Sequence, residues 1–272
     1  MSVTVADLQQ MAARGEKIAM LTCYDASFAK LMEAAGVDVL LVGDSLGMVL
    51  QGAADTLSVS LQDMVYHTRS VAAGSRRTLI MTDMPYGSYE DSPAQALANA
   101  RQLIASGAHI VKIEGGGHMV ATAQYLVEHG IPVCAHLGFT PQSVRRLGGY
   151  KIQGKTEDSA SQIMADAAAM SAAGVCLVLM EMVPAALAAE ITRQIGVPTI
   201  GIGAGADCSG QVLVIQDLLG IYTGPADKDP ASFKSPRFVR NFLQESTSIQ
   251  DAVRRYVQAV KSGEFPSAAH AY

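Results

Sequence analysis

Three carboxylates stand at the ends of three apolar runs. Leu40-Leu41-Val42-Gly43 stops at Asp44, Leu79-Ile80-Met81-Thr82 at Asp83, and Ile110-Val111-Lys112-Ile113 at Glu114. Near-continuous apolar runs of this kind read as parallel strands buried on both faces, and in barrels of such strands chemistry gathers at the C-terminal strand ends. The expectation is that Asp44, Asp83 and Glu114 converge on one divalent cation. Carboxylate oxygens suit a hard ion such as Mg2+, which keeps several waters and takes few protein ligands, leaving room for a bidentate substrate. Taken singly, Asp44 and Asp83 also read as N-caps of the helices that follow. Three carboxylates on consecutive strands weigh against that reading.

Lys112 lies two residues before Glu114 and so shares its face of the strand. A buried ammonium needs an anionic partner, so an ion pair alone explains it without any substrate. Its sharper roles are to hold a substrate carboxylate or to act as a Schiff-base nucleophile. Nearby carboxylates raise a lysine pKa, which favours the holding role. Glu181 follows Val178-Leu179-Met180 and precedes Met182-Val183-Pro184, an apolar setting that raises a carboxylate toward the range of a general base. A solvated strand-end glutamate is the plainer alternative. His136 ends another apolar run and reads as a ligand, a proton donor or, more commonly, a hydrogen-bonded structural histidine. Cation, lysine and glutamate together suit proton abstraction beside the carbonyl of a 2-oxo acid, the cation stabilising the enolate.

The elements that must position these residues follow a regular alternation. Residues 18–23, 37–42, 78–82, 109–113, 131–136, 175–180, 197–202 and a short 212–215 read as strands. Helical patterns separate most of them, as in parallel βαβ units. Asp44, Asp83, Glu114, His136 and Glu181 fall at five successive strand ends. A barrel gathers all of these at one mouth, whereas an open doubly wound sheet concentrates ligands at one switch point. The predicted fold is therefore α/β: a (β/α)8 TIM barrel with an N-terminal helix near residues 4–15 and a C-terminal helical extension. In that extension Ser235-Pro236 starts one helix and residues 248–260 form another, after a loop marked by Pro225, Asp227 and Pro230. The 272 residues suit one barrel, which needs roughly 250, so residues 1–272 read as a single domain. Segments 43–58 and 138–155 read as long functional loops, the first over the site. Gly201-Ile202-Gly203-Ala204-Gly205 lets a ligand approach the backbone near strand seven, while Gly115-Gly116-Gly117 reads as a tight turn.

Composition excludes several classes. A net charge of -5 with no long basic run argues against a nucleic-acid partner. No stretch reaches the ~18 apolar residues of a membrane span, and Asp7 with Gln9-Gln10 occupies the place of a signal-peptide core. Cys23, Cys134, Cys176 and Cys208 form no C-x-x-C pair, so a disulfide framework or thiolate zinc site is not signalled and a reducing cytoplasm fits. Charged residues make up 17% and apolar ones 49%, a balance that favours extensive burial and a homo-oligomer.

Six motifs, in order, carry a resemblance. They are Asp44-Ser45-Leu46-Gly47, Asp83-Met84-Pro85-Tyr86-Gly87-Ser88-Tyr89, Lys112-Ile113-Glu114-Gly115-Gly116, His136-Leu137-Gly138-Phe139-Thr140-Pro141-Gln142-Ser143, Leu147-Gly148-Gly149-Tyr150-Lys151-Ile152-Gln153-Gly154, and Gly201-Ile202-Gly203-Ala204-Gly205. From about Lys17 onward the chain closely resembles the ketopantoate hydroxymethyltransferase family. That resemblance implies a (β/α)8 barrel, usually in a decamer, moving a one-carbon unit from 5,10-methylenetetrahydrofolate to 3-methyl-2-oxobutanoate in pantothenate synthesis. It also implies one Mg2+ at Asp44, Asp83 and Glu114, the oxo acid bound by Asp44, Ser45, Asp83 and Lys112, and Glu181 as proton acceptor. Ser209 and Gln216 depart from the family pattern, where an aspartate and a histidine are expected. Three other readings stay open: a related Mg2+ barrel of the phosphoenolpyruvate mutase type, a Schiff-base aldolase acting through Lys112, and a non-catalytic binding protein.

Overall fold

In the computed structural model, which describes residues 2–225, 229, 231 and 233–272, eight parallel strands close into a barrel in chain order, the last pairing back onto the first. The strands are β1 (Ile18–Thr22), β2 (Val39–Val42), β3 (Leu79–Asp83), β4 (Ile110–Glu114), β5 (Val133–Gly138), β6 (Leu177–Glu181), β7 (Thr199–Ile202) and β8 (Gly210–Leu213). Around and between them lie α1 (Val5–Ala13), α2 (Ala26–Ala35), α3 (Leu46–Val49), α4 (Leu61–Gly74), α5 (Pro93–Ala105) and α6 (Val120–Glu128). The chain continues with α7 (Val144–Leu147), α8 (Glu157–Ala172), α9 (Ala185–Gln194), α10 (Ile215–Leu218) and α11 (Ile249–Ser262). Residues of both strand faces are buried, which is why the strands read as unbroken apolar runs rather than as alternating ones.

Local chemistry starts the helices where the sequence signals them. Thr4 caps α1 in a capping box with Asp7, Ser60 does the same for α4 with Asp63, and Ser92 caps α5 ahead of Pro93. The apolar face of α11, with Val253, Tyr256 and Val260 buried, packs on α2 and β1. Its Tyr256 hydroxyl lies 2.9 Å from the carbonyl oxygens of both Met20 and Gln211, spanning the seam where β8 meets β1. The C-terminal helix thus holds the barrel closed.

Two places differ from the predicted pattern. β8 begins earlier than expected, and Ile215, expected as its last residue, instead opens α10. No helix starts at Ser235-Pro236: residues 233–240 run as irregular chain and a turn. Burial of Phe238 and Phe242 ties this segment to the barrel, and the Asn241 side chain accepts from the Leu243 and Gln244 amides, a local turn that competes with helix. Asp227 and Pro230 lie outside the described residues. Of the two family departures, Ser209 exchanges hydrogen bonds with Thr199 at the start of β7, the strand end remote from the carboxylates. Gln216 is buried in α10 with its Oε1 unpartnered among the described residues.

The entry to β3, and hence Asp83, is pinned by one carboxylate. Glu33 of α2 accepts from the Arg77 amide at 2.6 Å, the Arg76 amide at 2.8 Å and the Ser75 hydroxyl at 3.0 Å. Burial alone would raise its pKa, but the hydrogen bonds from Arg77, Arg76, Ser75 and Thr78 outweigh that and bring it down to about 2. Glu33→Gln is expected to cost about 1.5–3 kcal/mol at neutral pH, the range for hydrogen bonds to a charged acceptor. Because the folded pKa is depressed, this contribution is complete above the unfolded value of about 4.3 and is lost as pH falls toward about 2. Urea denaturation at pH 7 and pH 3 checks it: the gap between wild type and variant should narrow at the lower pH.

Candidate active site

Parallel register brings the strand-end residues together. Asp83 lies beside Lys112, Glu114 beside His136, and Gly138 beside Glu181. Gly138 has φ 88, and a Cβ there would run into the Glu181 carbonyl oxygen and the Val183 side chain, so β5 meets β6 this closely only with glycine. Met182 follows Glu181 at φ 49, a left-handed conformation unusual for a side chain of its size. It turns the chain sharply just past the glutamate.

Asp44, Ser45, Asp83, Lys112, Glu114, His136 and Glu181 all line one cavity of about 520 Å3 at the C-terminal end of the barrel. All seven sequence-predicted residues are therefore brought together. The Lys112 ammonium is 3.3 Å from Asp83 Oδ1, 3.7 Å from Glu114 Oε1 and 3.1 Å from His136 Nδ1. His136 continues the line, with Nε2 3.3 Å from Glu181 Oε2. Asp83 Oδ2 accepts from the Asp44 amide at 3.0 Å. Ser45 shares a 2.9 Å hydroxyl contact with Tyr24. Segment 43–58 walls the cavity through α3, with Met48 and Val49 on its lining, as do Ala54 and Thr56.

Charge is distributed unevenly among these groups. Burial raises the Asp44 pKa well above the usual carboxylate range, and the charges of Asp83 and Glu114 add to the rise. Burial also raises Asp83, with Lys112 opposing. In Glu114 burial is overcome by Lys112, His136 and the Gln142 amide, and its pKa is lowered. Burial would lower the Lys112 pKa, yet Asp83, Glu114 and Asp44 hold it above its ordinary value. A lysine kept charged is a poor Schiff-base nucleophile and a good anion holder. Burial and the Lys112 charge oppose protonation of His136, but Glu114 and Glu181 prevail and raise its pKa. In its neutral form the ring accepts from Lys112 at Nδ1 and turns Nε2–H toward Glu181.

Several residues essential to this geometry were not singled out by sequence reasoning. Gln142 donates from Nε2 to Asp44 Oδ2 at 2.8 Å and to the Met84 carbonyl at 3.0 Å. Its backbone amide donates to Glu114 Oε2 at 2.9 Å, and its Oε1 accepts from the Tyr89 hydroxyl at 2.6 Å. Tyr89 in turn accepts from the Glu114 amide at 3.1 Å. Gln142 thus fixes two of the three carboxylates, Asp44 through its side-chain amide and Glu114 through its backbone amide. An aromatic roof of Phe233, Phe238 and Tyr272 from the C-terminal segment lines the same cavity, as does Asp217. Gln142 and Tyr89 stand in the sequence only as members of the motifs at 136–143 and 83–89, with no role attached to either; the roof had no signal.

The sequence pattern of the ketopantoate hydroxymethyltransferase family matches residues 2–268. The chain belongs to this family. It is 57% identical over 271 residues to the 3-methyl-2-oxobutanoate hydroxymethyltransferase of Azoarcus sp. (strain BH72), covering 99% of this chain and 97% of that one. It is 56% identical over 272 residues to the enzyme of the same name from Thiobacillus denitrificans, covering 100% of both. Among solved structures it resembles the phosphoenolpyruvate phosphomutase of Streptomyces platensis subsp. rosaceus. The TM-score is 0.60 at 13% identity, over 79% of this chain and 82% of that one. At that identity the likeness is one of fold.

Ketopantoate hydroxymethyltransferase chemistry by the route the sequence suggests needs a cation, and the donor set suits a hard one. Among the described residues Asp83 Oδ1 and Glu114 Oε1 are buried without a well-aligned hydrogen bond, Lys112 and His136 approaching them only as ionic neighbours, and the oxygens of Asp44, Asp83 and Glu114 are the ligand type that Mg2+ prefers. Among the described residues no three His, Cys, Asp or Glu side chains form a ready-made cage; the Lys112 ammonium stands between Asp83 and Glu114 instead. Mg2+ seldom requires such a cage, because it keeps waters and shares its shell with substrate oxygens. The four cysteines are buried and unpaired, and burial raises the pKa of each, so they are inert thiols of the core. No helix among the described residues is long and apolar enough to cross a membrane.

Proposed function

We propose that this chain is a transferase moving a hydroxymethyl group from 5,10-methylenetetrahydrofolate to 3-methyl-2-oxobutanoate to give 2-dehydropantoate, as a step of pantothenate synthesis. The observation that carries the mechanism is the unbroken line from Asp83 through Lys112 and His136 to Glu181 in one cavity. Asp44, Asp83 and Glu114 would hold Mg2+, one per subunit. Bound there, the ion supplies Lewis-acid polarisation of the 2-oxo group, worth several kcal/mol of charge stabilisation. Asp44 with Ser45, Asp83 and Lys112 bind the oxo acid, with Lys112 attracting its carboxylate. Glu181, whose side chain is 12% exposed, takes the C3 proton, and His136 orients it. Gln142 and Tyr89 act behind these groups and keep Asp44 and Glu114 aimed.

The whole chain serves as one barrel unit in this reading, assembled into a homo-oligomer, a decamer by family resemblance, in the cytoplasm. Incubation of the protein with the oxo acid, the folate donor and Mg2+ is expected to form 2-dehydropantoate, detected by mass spectrometry. Chelation with EDTA should lower the rate at least about a hundredfold, as loss of several kcal/mol of Lewis-acid stabilisation requires, and excess Mg2+ should restore it. Product formation that ignores EDTA would exclude the metal-assisted route and revive a Lys112 Schiff base.

A further inference from the structure

The proposed transfer, on which this inference rests, contains a proton movement that Glu181 cannot perform. In the donor the mobile carbon is bonded to two nitrogens, whereas in the product it carries a hydroxyl, so the oxygen comes from water. Each nitrogen released must gain a proton. Glu181 has to be ionised to take the C3 proton of the oxo acid, and cannot at the same moment be the acid that opens the donor.

The geometry points to Asp217 as the acid that opens the donor and as the base that then accepts a proton from the attacking water. Asp217 lies on α10, just past the end of β8, and lines the same cavity as Glu181. Its carboxyl makes no hydrogen bond or ion pair among the described residues, which leaves it free for a ligand. The nearby Tyr222 hydroxyl is buried and has no hydrogen-bond partner among the described residues. Beside Asp217 the Tyr222 ring meets the Phe233 ring edge-on at 5.3 Å between centroids, and Phe233, Phe238 and Tyr272 all line the cavity, an aromatic setting that suits a flat heteroaromatic donor better than a small oxo acid. The titratable groups near enough to feel Asp217 are Glu181 from β6, Tyr24 after β1, Tyr150 before α8 and Tyr222 after α10, and Lys234 and Tyr272 from the C-terminal segment line the same cavity. Burial, followed by the charge of Glu181, lifts the Asp217 pKa to about 7, so both protonation states are populated near neutrality.

The step balances. Asp217 gives its proton to one donor nitrogen as that C–N bond breaks and its electron pair stays on nitrogen. Water forms the C–O bond and returns a proton to the Asp217 carboxylate. Breaking of the second C–N bond moves the hydroxyl proton to the remaining nitrogen and frees formaldehyde. The C3 carbanion attacks that carbonyl, and the alkoxide formed takes the proton held by Glu181.

Free formaldehyde bypasses the step assigned to Asp217, and this supplies the test. In Asp217→Asn, product formation from methylenetetrahydrofolate, with excess tetrahydrofolate to suppress free formaldehyde, should fall at least about a hundredfold, the lower span of acid–base catalysis. Product formation from formaldehyde without folate should stay within about threefold of wild type, since no proton transfer assigned to Asp217 remains in that route. Asp217→Glu, which keeps an acid, should recover part of the folate-dependent rate. Wild type gives an independent reading: kcat/KM for the folate donor should decline as pH rises through about 7, and this limb should be missing with formaldehyde. Equal losses with both donors in a folded Asp217→Asn variant, no loss with either, or the same limb with both donors in wild type would overturn the assignment. Wild type making no product from either donor would instead overturn the transferase reading itself.

Discussion

Glu181→Gln is expected to slow exchange of the C3 proton of 3-methyl-2-oxobutanoate in deuterated water by about 10²–10⁴-fold, the contribution of a positioned general base. The assay needs Mg2+ and the oxo acid alone, followed by NMR, so it isolates deprotonation from every event at the one-carbon donor. Glutamine preserves size and can still face His136 Nε2, which lies 3.3 Å from the wild-type carboxylate; the substitution therefore removes the base with little change of packing. Exchange at the wild-type rate would sink Glu181 as the proton acceptor and transfer suspicion to His136, the nearest other base. Loss of exchange together with loss of the folded state would say nothing about the base, so the variant's thermal melt is recorded alongside. Formaldehyde-dependent product formation should fall in parallel with exchange, because both need the C3 carbanion. Glu181→Gln and Asp217→Asn should thus differ in the formaldehyde arm, the first losing it and the second keeping it.

How much of this was readable from sequence depended on range. Asp44, Asp83 and Glu114 announced themselves because each is the polar end of an apolar run, a signal contained within about five residues. Strand periodicity then made Lys112 a neighbour of Glu114, and the barrel closure put Glu181 and His136 at the same mouth. Gln142 could not be read this way. Its amide reaches Asp44 across 98 positions of sequence, and its place in the motif at 136–143 marks the family resemblance without showing which carboxylate it holds. The roof is a similar case: the backbone of Ala185 at the start of α9 donates to the Tyr272 carbonyl, bringing the chain's last residue to the mouth through a contact that only the folded barrel creates. The helix expected at Ser235-Pro236 failed for the converse reason. A plausible local start was overridden by burial of Phe238 and Phe242 and by the turn at Asn241. Glu181 was expected to be tuned by an apolar pocket, but its immediate neighbour is the His136 ring, so its orientation is set by a polar contact that the flanking residues did not suggest.

Lys112→Met should produce the largest loss of stability. The ammonium is buried, with its side chain only 4% exposed, and stands 3.3 Å from Asp83 and 3.7 Å from Glu114. Removing one partner of such a group leaves carboxylates stranded in low dielectric, a cost of about 3–5 kcal/mol. For a chain of this size that corresponds to a fall in melting temperature on the order of 10 °C in the presence of EDTA. Methionine nearly fills the same volume, so the loss reports charge rather than a cavity. Added Mg2+ provides the second half of the test. A cation bound by Asp44, Asp83 and Glu114 replaces the missing positive charge, so Mg2+ should raise the melting temperature of Lys112→Met by more than it raises that of wild type, where ammonium and metal compete for the same oxygens. Equal stabilisation of the two proteins would mean that these carboxylates are not the ion's ligands. An unchanged melting temperature for the metal-free variant would mean that the buried acids already share protons among themselves and do not depend on Lys112. The lysine that helps hold the substrate would then contribute to binding alone, and the fold would not need it.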